Sequence, residues 1–309
     1  MVHRFPVTPA LALLAALAVP VRAQVPTFAS RSELVVLSAT AVDEHGRPVT
    51  NLRREEFTVL EDGRPQKVLH FTAGPAVSAR VLILVDASGS MNGELKVASA
   101  RMAATQFLAA LSPEDQVALA GFDSEYWGIV GWTKDRRKVV DGFKDLKPFG
   151  STALHDALDH AARDLASHGE GRRALVVITD GVDTASRETA DAVIARSRAL
   201  DVPIYAVSVV APIDDPRSDV FAGKDRATIV GEGRALLEKY ASFSGGAAFV
   251  VSDFAGLKRA ADLIALEFRH QYRLGYDPPE GPARFRRVEV RTTRKGVLVR
   301  TRSGYVPSS

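Results

Sequence analysis

Val81-Leu82-Ile83-Leu84-Val85-Asp86-Ala87-Ser88-Gly89-Ser90-Met91 decides the fold. The opening apolar residues neither alternate with polar ones nor fall on a helical stripe. They read as a strand covered on both faces, as in a parallel sheet between two helix layers. The run ends on a carboxylate, and helical periodicity follows from Glu94 to Leu111, closed by Ser112-Pro113. Strand, turn, helix is the repeating unit of a doubly wound sheet.

The same grammar continues outward. Apolar strands are expected at 116–122, 174–179, 203–210 and 247–251, with helices near 135–145, 152–167, 187–200, 233–243 and 253–268. The segment 127–132 lies close behind a strand through a short turn and reads as an antiparallel edge. The fold class is therefore α/β: a doubly wound, Rossmann-like and mostly parallel sheet over residues 79–268.

On either side the pattern is β. Within 30–74, Leu34–Val42 is β-rich, and Phe57–Leu60 and Val68–Phe71 flank the Asp62-Gly63 turn as a hairpin. Within 269–306, Phe285–Thr292 and Val297–Thr301 alternate around Arg294-Lys295-Gly296, with Val288 and Val290 inward and Arg287, Glu289 and Arg291 outward. Neither piece is large enough for a core of its own. Together they supply roughly seven strands, so the α/β unit is expected to be inserted into one small β-sandwich-like domain.

The N-terminus reads as an address. His3 and Arg4 precede an apolar run from Ala10 to Val19, followed by Val21-Arg22-Ala23-Gln24. A basic start, a short apolar core and small residues before the cut make residues 1–23 a secretory signal cleaved after Ala23. The run is too short for a spanning helix, which needs about 20 residues, and no later segment is apolar enough. An exported protein, periplasmic or secreted, is expected, with no membrane span once the signal is cleaved.

Composition narrows the chemistry. The 309 residues include no cysteine, which excludes disulfides, thiol nucleophiles and cysteine-held metals. The formal net charge of +3 is too small to argue for nucleic acid. That charge is unevenly spread: residues 268–309 hold ten basic and three acidic side chains. Alternating arginines on 284–302 read as a solvated strand face that discourages edge pairing.

At the carboxyl end of the first buried strand, Asp86, Ser88 and Ser90 put three oxygen donors on alternate residues, and Gly89 permits a tight path. Carboxyl ends of strands open into the ligand crevice of such sheets. Two further segments belong at that edge: Gly150-Ser151-Thr152, which leads into a helix, and Ile178-Thr179-Asp180-Gly181, which ends a strand. Hard oxygens of this kind suit Mg²⁺ or Mn²⁺. Each Asp taken alone could be a helix cap. Ser88 and Ser90 lack the Gly-x-Ser-x-Gly frame of a nucleophile turn and a placed His base. His155 and Asp156 read as an ordinary helical pair, and Asp183 as a turn residue. Gly231-Glu232-Gly233 lacks the rest of a dinucleotide loop.

Asp-x-Ser-x-Ser, a loop Thr and a strand-terminal Asp, in that order, resemble the metal-ion-dependent adhesion site of von Willebrand factor type A domains. The flanks, Glu56–Gly63, Gln271–Tyr276 and Val297–Tyr305, resemble exported bacterial proteins related to that family. The resemblance implies a metal set of Asp86, Ser88, Ser90, Thr152 and Asp180. In it the two serines coordinate directly, Thr152 does so when ligand is bound, and the aspartates act mostly through water. It further implies an open position filled by an Asp or Glu carboxylate from a partner protein, and hence a binding module rather than an enzyme. A metal-dependent hydrolase and a scaffold whose metal only stabilises the fold are the alternatives. Residues 211–232 form a long connection leaving the same edge, and its acidic side chains Asp214, Asp215, Asp219 and Asp225 are expected to shape a partner-selecting rim.

Overall fold

β5 (Ala79–Asp86) runs through the middle of a six-stranded sheet because both of its faces are apolar. Val81, Ile83 and Val85 enter one core, and Leu82 and Leu84 enter the other. The computed structural model describes residues 34–74, 78–91, 94–168, 171–209, 226–251 and 253–307. The expected signal (1–23) and the acidic rim residues Asp214, Asp215, Asp219 and Asp225 lie outside the described residues, as does the Ser90 side chain.

The sheet adds β6 (Gln116–Phe122), β7 (Tyr126–Thr133), β8 (Arg172–Thr179), β9 (Ile204–Val209) and β10 (Ala247–Val251) in the order β10-β9-β8-β5-β6-β7. All neighbours are parallel except β7, which runs antiparallel on β6 at the edge. The face bearing Val81 is covered by α1 (Glu94–Ala110), α2 (Arg136–Gly142) and α6 (Phe254–Arg269). The opposite face is covered by α3 (Leu154–Ser167), α4 (Ala190–Leu200) and α5 (Arg226–Ser244). Asp135, Thr189 and Asp253 cap α2, α4 and α6 by accepting backbone N–H bonds, each worth about 1 kcal/mol.

α5 corrects the sequence reading. It begins at Arg226 rather than near 233, so the connection out of β9 is shorter than expected. The helix runs through Gly231 and Gly233. A Cβ on Gly233 would stand 3.1 Å from the carbonyl oxygens of Asp180 and Gly181. That glycine serves close approach, not helix termination.

The flanking strands make two four-stranded sheets around one further core. β1 (Val35–Asp43), β4 (His70–Ala73), β11 (Tyr272–Tyr276) and β13 (Val297–Thr301) form one, ordered β13-β1-β11-β4. β2 (Phe57–Glu61), β3 (Arg64–Gln66), β12 (Arg286–Thr292) and β14 (Gly304–Tyr305) form the other, ordered β14-β12-β2-β3. Leu37, Val59, Tyr272, Leu274, Tyr276, Val288 and Val290 fill the space they share. The chain leaves for the α/β unit after β4 and returns on β11. These two strands are paired, with Ala73 opposite Tyr272, so entry and exit lie side by side.

Two hairpins read from sequence are re-partnered. Asp62 (φ 48°) and Gly63 (φ 79°) do make a tight turn, but it joins β2 to β3, and the strand containing His70 and Phe71 belongs to the other sheet. β12 and β13 likewise lie in different sheets, β12 on β2 and β13 on β1, so residues 293–296 arch across the core. The reason is shared: strand length and the turn are local signals, whereas the choice of sheet depends on which side must cover Tyr272 and Val59.

The sandwich and the α/β unit share a polar joint. Buried Arg302 donates from Nη1 to the carbonyls of Arg198 (3.1 Å) and Ala199 (3.3 Å) at the end of α4, and from Nη2 to Val36 O (3.0 Å). Its Nε lies 3.4 Å from Asp201. Arg302→Ala strands these acceptors and leaves Asp201 without its cation, and should lower stability by about 3 kcal/mol. Urea unfolding measures this; a loss below about 1 kcal/mol would show the joint to be dispensable.

Candidate metal centre

β5 and β8 are neighbours whose chains leave in opposite directions, β5 toward β6 and β8 toward β9. In an open sheet this switch point leaves a crevice beyond the carboxyl ends of the strands. Asp86 is the last residue of β5, and Thr179, the last of β8, is followed by Asp180. The register carries Asp86 opposite Thr179, one step past the Val85–Ile178 pair.

Asp86 is 1% exposed, and each of its oxygens accepts a hydrogen bond. Its Oδ1 accepts from the Ser88 backbone N–H at 2.9 Å, and its Oδ2 from the Thr179 hydroxyl at 2.6 Å. Thr179 Oγ1 in turn accepts from Gly181 N–H at 3.0 Å. Asp180 accepts from Val182 N–H at 3.2 Å, an Asx turn; the next helix starts only at Ala190, so Asp180 is not a helix cap.

The third segment is tied in by its backbone. Phe149 N–H donates to Ala87 O at 2.8 Å, and Gly89 N–H to Gly150 O at 2.9 Å. Thr152, also buried, is fixed from the other side: its N–H donates to Thr184 Oγ1 at 2.9 Å, and its carbonyl accepts from the backbone N–H groups of Thr184 and Ala185. The loops carrying Asp86–Ser90, Thr152 and Asp180 are thus laced together. Ser88 is completely buried among them.

Electrostatically the pocket is acidic. Burial, and then the charge of Asp180, push the Asp86 carboxyl up to about 7, against the lowering effect of its bonds to Ser88 and Thr179. Two carboxylates and buried hydroxyls brought to one crevice are a donor set that a small hard dication fits. Among the described residues no three His, Asp or Glu side chains gather as a conventional cage. Hydroxyl oxygens would make up the remainder here.

Thr179 was not singled out from the sequence. Its signal is positional: a hydroxyl ending one buried strand beside a carboxylate ending the next. His155 and Asp183 also form more than a surface pair. His155 Nδ1 lies 3.0 Å from the Tyr240 hydroxyl and Nε2 lies 3.7 Å from Asp183, which also accepts from the Ser186 hydroxyl. The Nδ1 contact ties α3 to α5 through the Tyr240 hydroxyl. Asp156 accepts from Arg187 and Glu188 N–H and holds the loop that follows.

The raised Asp86 carboxyl has a consequence for stability. The folded state binds that proton more tightly than the unfolded chain, whose value is 3.8. Metal-free stability from this group is therefore full below about pH 4 and is lost as pH rises through about 7, by at most about 4 kcal/mol. Asp86→Asn carries no charge to desolvate. In EDTA it should be more stable than wild type at pH 8, with the gap closing toward pH 4, as read by urea unfolding at several pH values. A constant gap would contradict this.

Residues 81–182 match the model of the von Willebrand factor type A domain family, a span containing Asp86, Ser88, Ser90, Thr152 and Asp180. Among solved structures, a von Willebrand factor type A protein from Catenulispora acidiphila is similar at 13% identity, over 90% of this chain and 75% of that one, with a TM-score of 0.51. An aerotolerance-related membrane protein from Bacteroides fragilis NCTC 9343, with multiple mutations to serines, is similar at 20% identity, over 62% of this chain and 98% of that one, with a TM-score of 0.50. Both likenesses are likenesses of fold.

Proposed function

We propose that the chain, whose residues 81–182 match the von Willebrand factor type A domain, is an exported, metal-dependent protein-binding module. Asp86, Ser88, Ser90, Thr152 and Asp180 hold a divalent cation, Mg²⁺ or Mn²⁺, and the partner protein presents an Asp or Glu carboxylate to it. The observation that carries this reading is the buried acid at the switch point: Asp86 is pushed up to about 7 by burial and by Asp180, with hydroxyl-bearing loops tied around it.

The bound cation would supply an electrostatic attachment point for an anionic oxygen. The serine and threonine hydroxyls add no charge, so the cation is neutralised by at most two protein carboxylates. Where these act through water, an outside carboxylate is the natural complement. The chain's own part is to hold the oxygens in place: Thr179 and the Ser88 N–H fix Asp86, and the Gly89–Gly150 bond fixes the spacing between two loops.

Binding is favoured over hydrolysis because the histidine that follows Thr152, His155, turns its Nδ1 to the Tyr240 hydroxyl at 3.0 Å. A protein partner is favoured over nucleic acid because the basic C-terminal strands are answered internally. Arg284 pairs with Asp62, Arg286 with Glu61, Arg291 with Glu289, Arg294 with Glu56 and Arg300 with Glu267. Among the described residues no helix is long and apolar enough to cross a membrane. Export rests on the N-terminal signal pattern.

Calorimetric titration with Mg²⁺ or Mn²⁺ tests the centre. Ser88→Ala should abolish measurable binding. Thr179→Val, which removes only the hydroxyl that orients Asp86, should weaken it about 10- to 100-fold. Because the proton and the cation compete for Asp86, affinity should also fall as pH drops below about 7. Wild-type affinity in both Ser88→Ala and Asp86→Asn would remove the metal from this site.

A further inference from the structure

Phe149 is 80% exposed, the most exposed of the large apolar side chains among the described residues. A single surface aromatic needs no explanation by itself. This one differs in how its backbone is held. Its N–H donates to the carbonyl of fully buried Ala87, and the carbonyl of the following Gly150 accepts from Gly89. The ring is thus presented to solvent from a loop fixed at two successive residues to the Asp86–Ser90 turn. Gly150, at φ +83°, adopts the left-handed turn that this arrangement requires. Leu146, three residues earlier, is buried and serves the core. Phe149 serves no part of it.

We propose that Phe149 is the apolar anchor of partner recognition beside the metal centre, and that the partner segment carries an aliphatic or aromatic side chain within a residue or two of its acidic one. The inference rests on the reading of the centre as a site that takes an outside carboxylate. The spacing follows from the backbone. Gly150 is hydrogen-bonded to the residue between Ser88 and Ser90, and Phe149 is its immediate neighbour. Successive Cα atoms stand about 3.8 Å apart, so side chains flanking an acid reach the ring when the acid reaches the centre. A ring held in advance loses little freedom on burial, which favours its use as an anchor. Covering it is worth roughly 10- to 100-fold in affinity for a well-fitted partner, and less for a short peptide.

The test uses two defined peptides, acetyl-Gly-Leu-Asp-Leu-Gly-amide and acetyl-Gly-Ser-Asp-Ser-Gly-amide. They are titrated into nitrogen-15-labelled protein at saturating Mg²⁺, and affinity is read from the amide shifts of Gly89, Gly150 and Ser151. Wild type should bind the leucine-flanked peptide at least about fivefold more tightly. In Phe149→Ser the preference should vanish while amides distant from the loop keep their positions, which establishes that the variant is folded. Mg²⁺-dependent binding of both peptides without preference, or a preference that survives Phe149→Ser, overturns the anchor and leaves the metal reading standing. A preference that persists in EDTA overturns the metal reading on which the proposal rests. Absence of any shift with either peptide overturns the anchor as well.

Discussion

A carboxylate held almost entirely out of water, next to a second one, is the constraint around which this molecule is arranged. Asp86 ends the central strand, so it cannot move toward solvent without unpairing the end of β5 from Phe122 of β6. Its charge is kept by hydrogen bonds from Ser88 N–H and Thr179, and burial still wins over them, raising its affinity for a proton. A fold selected for stability alone would place a neutral or apolar residue there. The strain is local, and it is offset by the apolar layers on both faces of β5, where Val81, Leu82, Ile83 and Leu84 are completely buried.

Glycines let the surrounding backbone come close enough to shape that pocket. Gly181, at φ +84°, would bring a Cβ within 2.9 Å of Gly233 O, and a Cβ on Gly233 would meet Asp180 and Gly181 in return. α5 therefore lies directly against the turn that carries Asp180, with no side chain between them. Gly246 does the same against Ile204 at the start of β9, and Gly245 does so against Thr301 at the joint with the sandwich. The exit helix α6 is fastened there too. Glu267, buried and raised by its burial, pairs with Arg300 at 2.5 Å, and Arg172 donates to Phe268 O at 2.8 Å.

Features set by short stretches of sequence were legible. The five apolar residues before Asp86, the alternation of Val288 and Val290 with charged neighbours, and the Asp62-Gly63 turn each determine local structure through packing or backbone sterics, and each appears. What failed was partner choice. The segment holding Phe71 looked like the second arm of a hairpin, but it crosses to the other sheet, where its ring packs 6.0 Å from Tyr272 on the neighbouring strand and 5.8 Å from Phe57 across the core. The start of α5 was misplaced for a related reason. The close contact of Gly233 with the Asp180–Gly181 turn, which lets the helix carry a glycine there, is visible only in the structure. In the candidate centre the carboxylates stood out because the doubly wound topology brings Asp86 and Asp180 to one edge. Thr179 did not, since a threonine at a strand end is unremarkable until the register sets it opposite Asp86.

The loops around the centre are joined to one another chiefly through main-chain groups: Phe149 to Ala87, Gly89 to Gly150, Ala153 to Asp123, and Thr184 and Ala185 to Thr152. Main-chain bonds place no demand on the side chains that point outward from the same residues. Lys147, Phe149, Ser151 and Ser124 can therefore differ without disturbing the oxygens beneath them. Such a division separates two tasks that would otherwise compete. The buried side chains fix a charge environment that few substitutions would tolerate, and the exposed ones set what can approach it. Substitution on the outer layer is thereby separated from the carboxylates beneath it, and the residue that stands out on that layer here is an exposed phenylalanine.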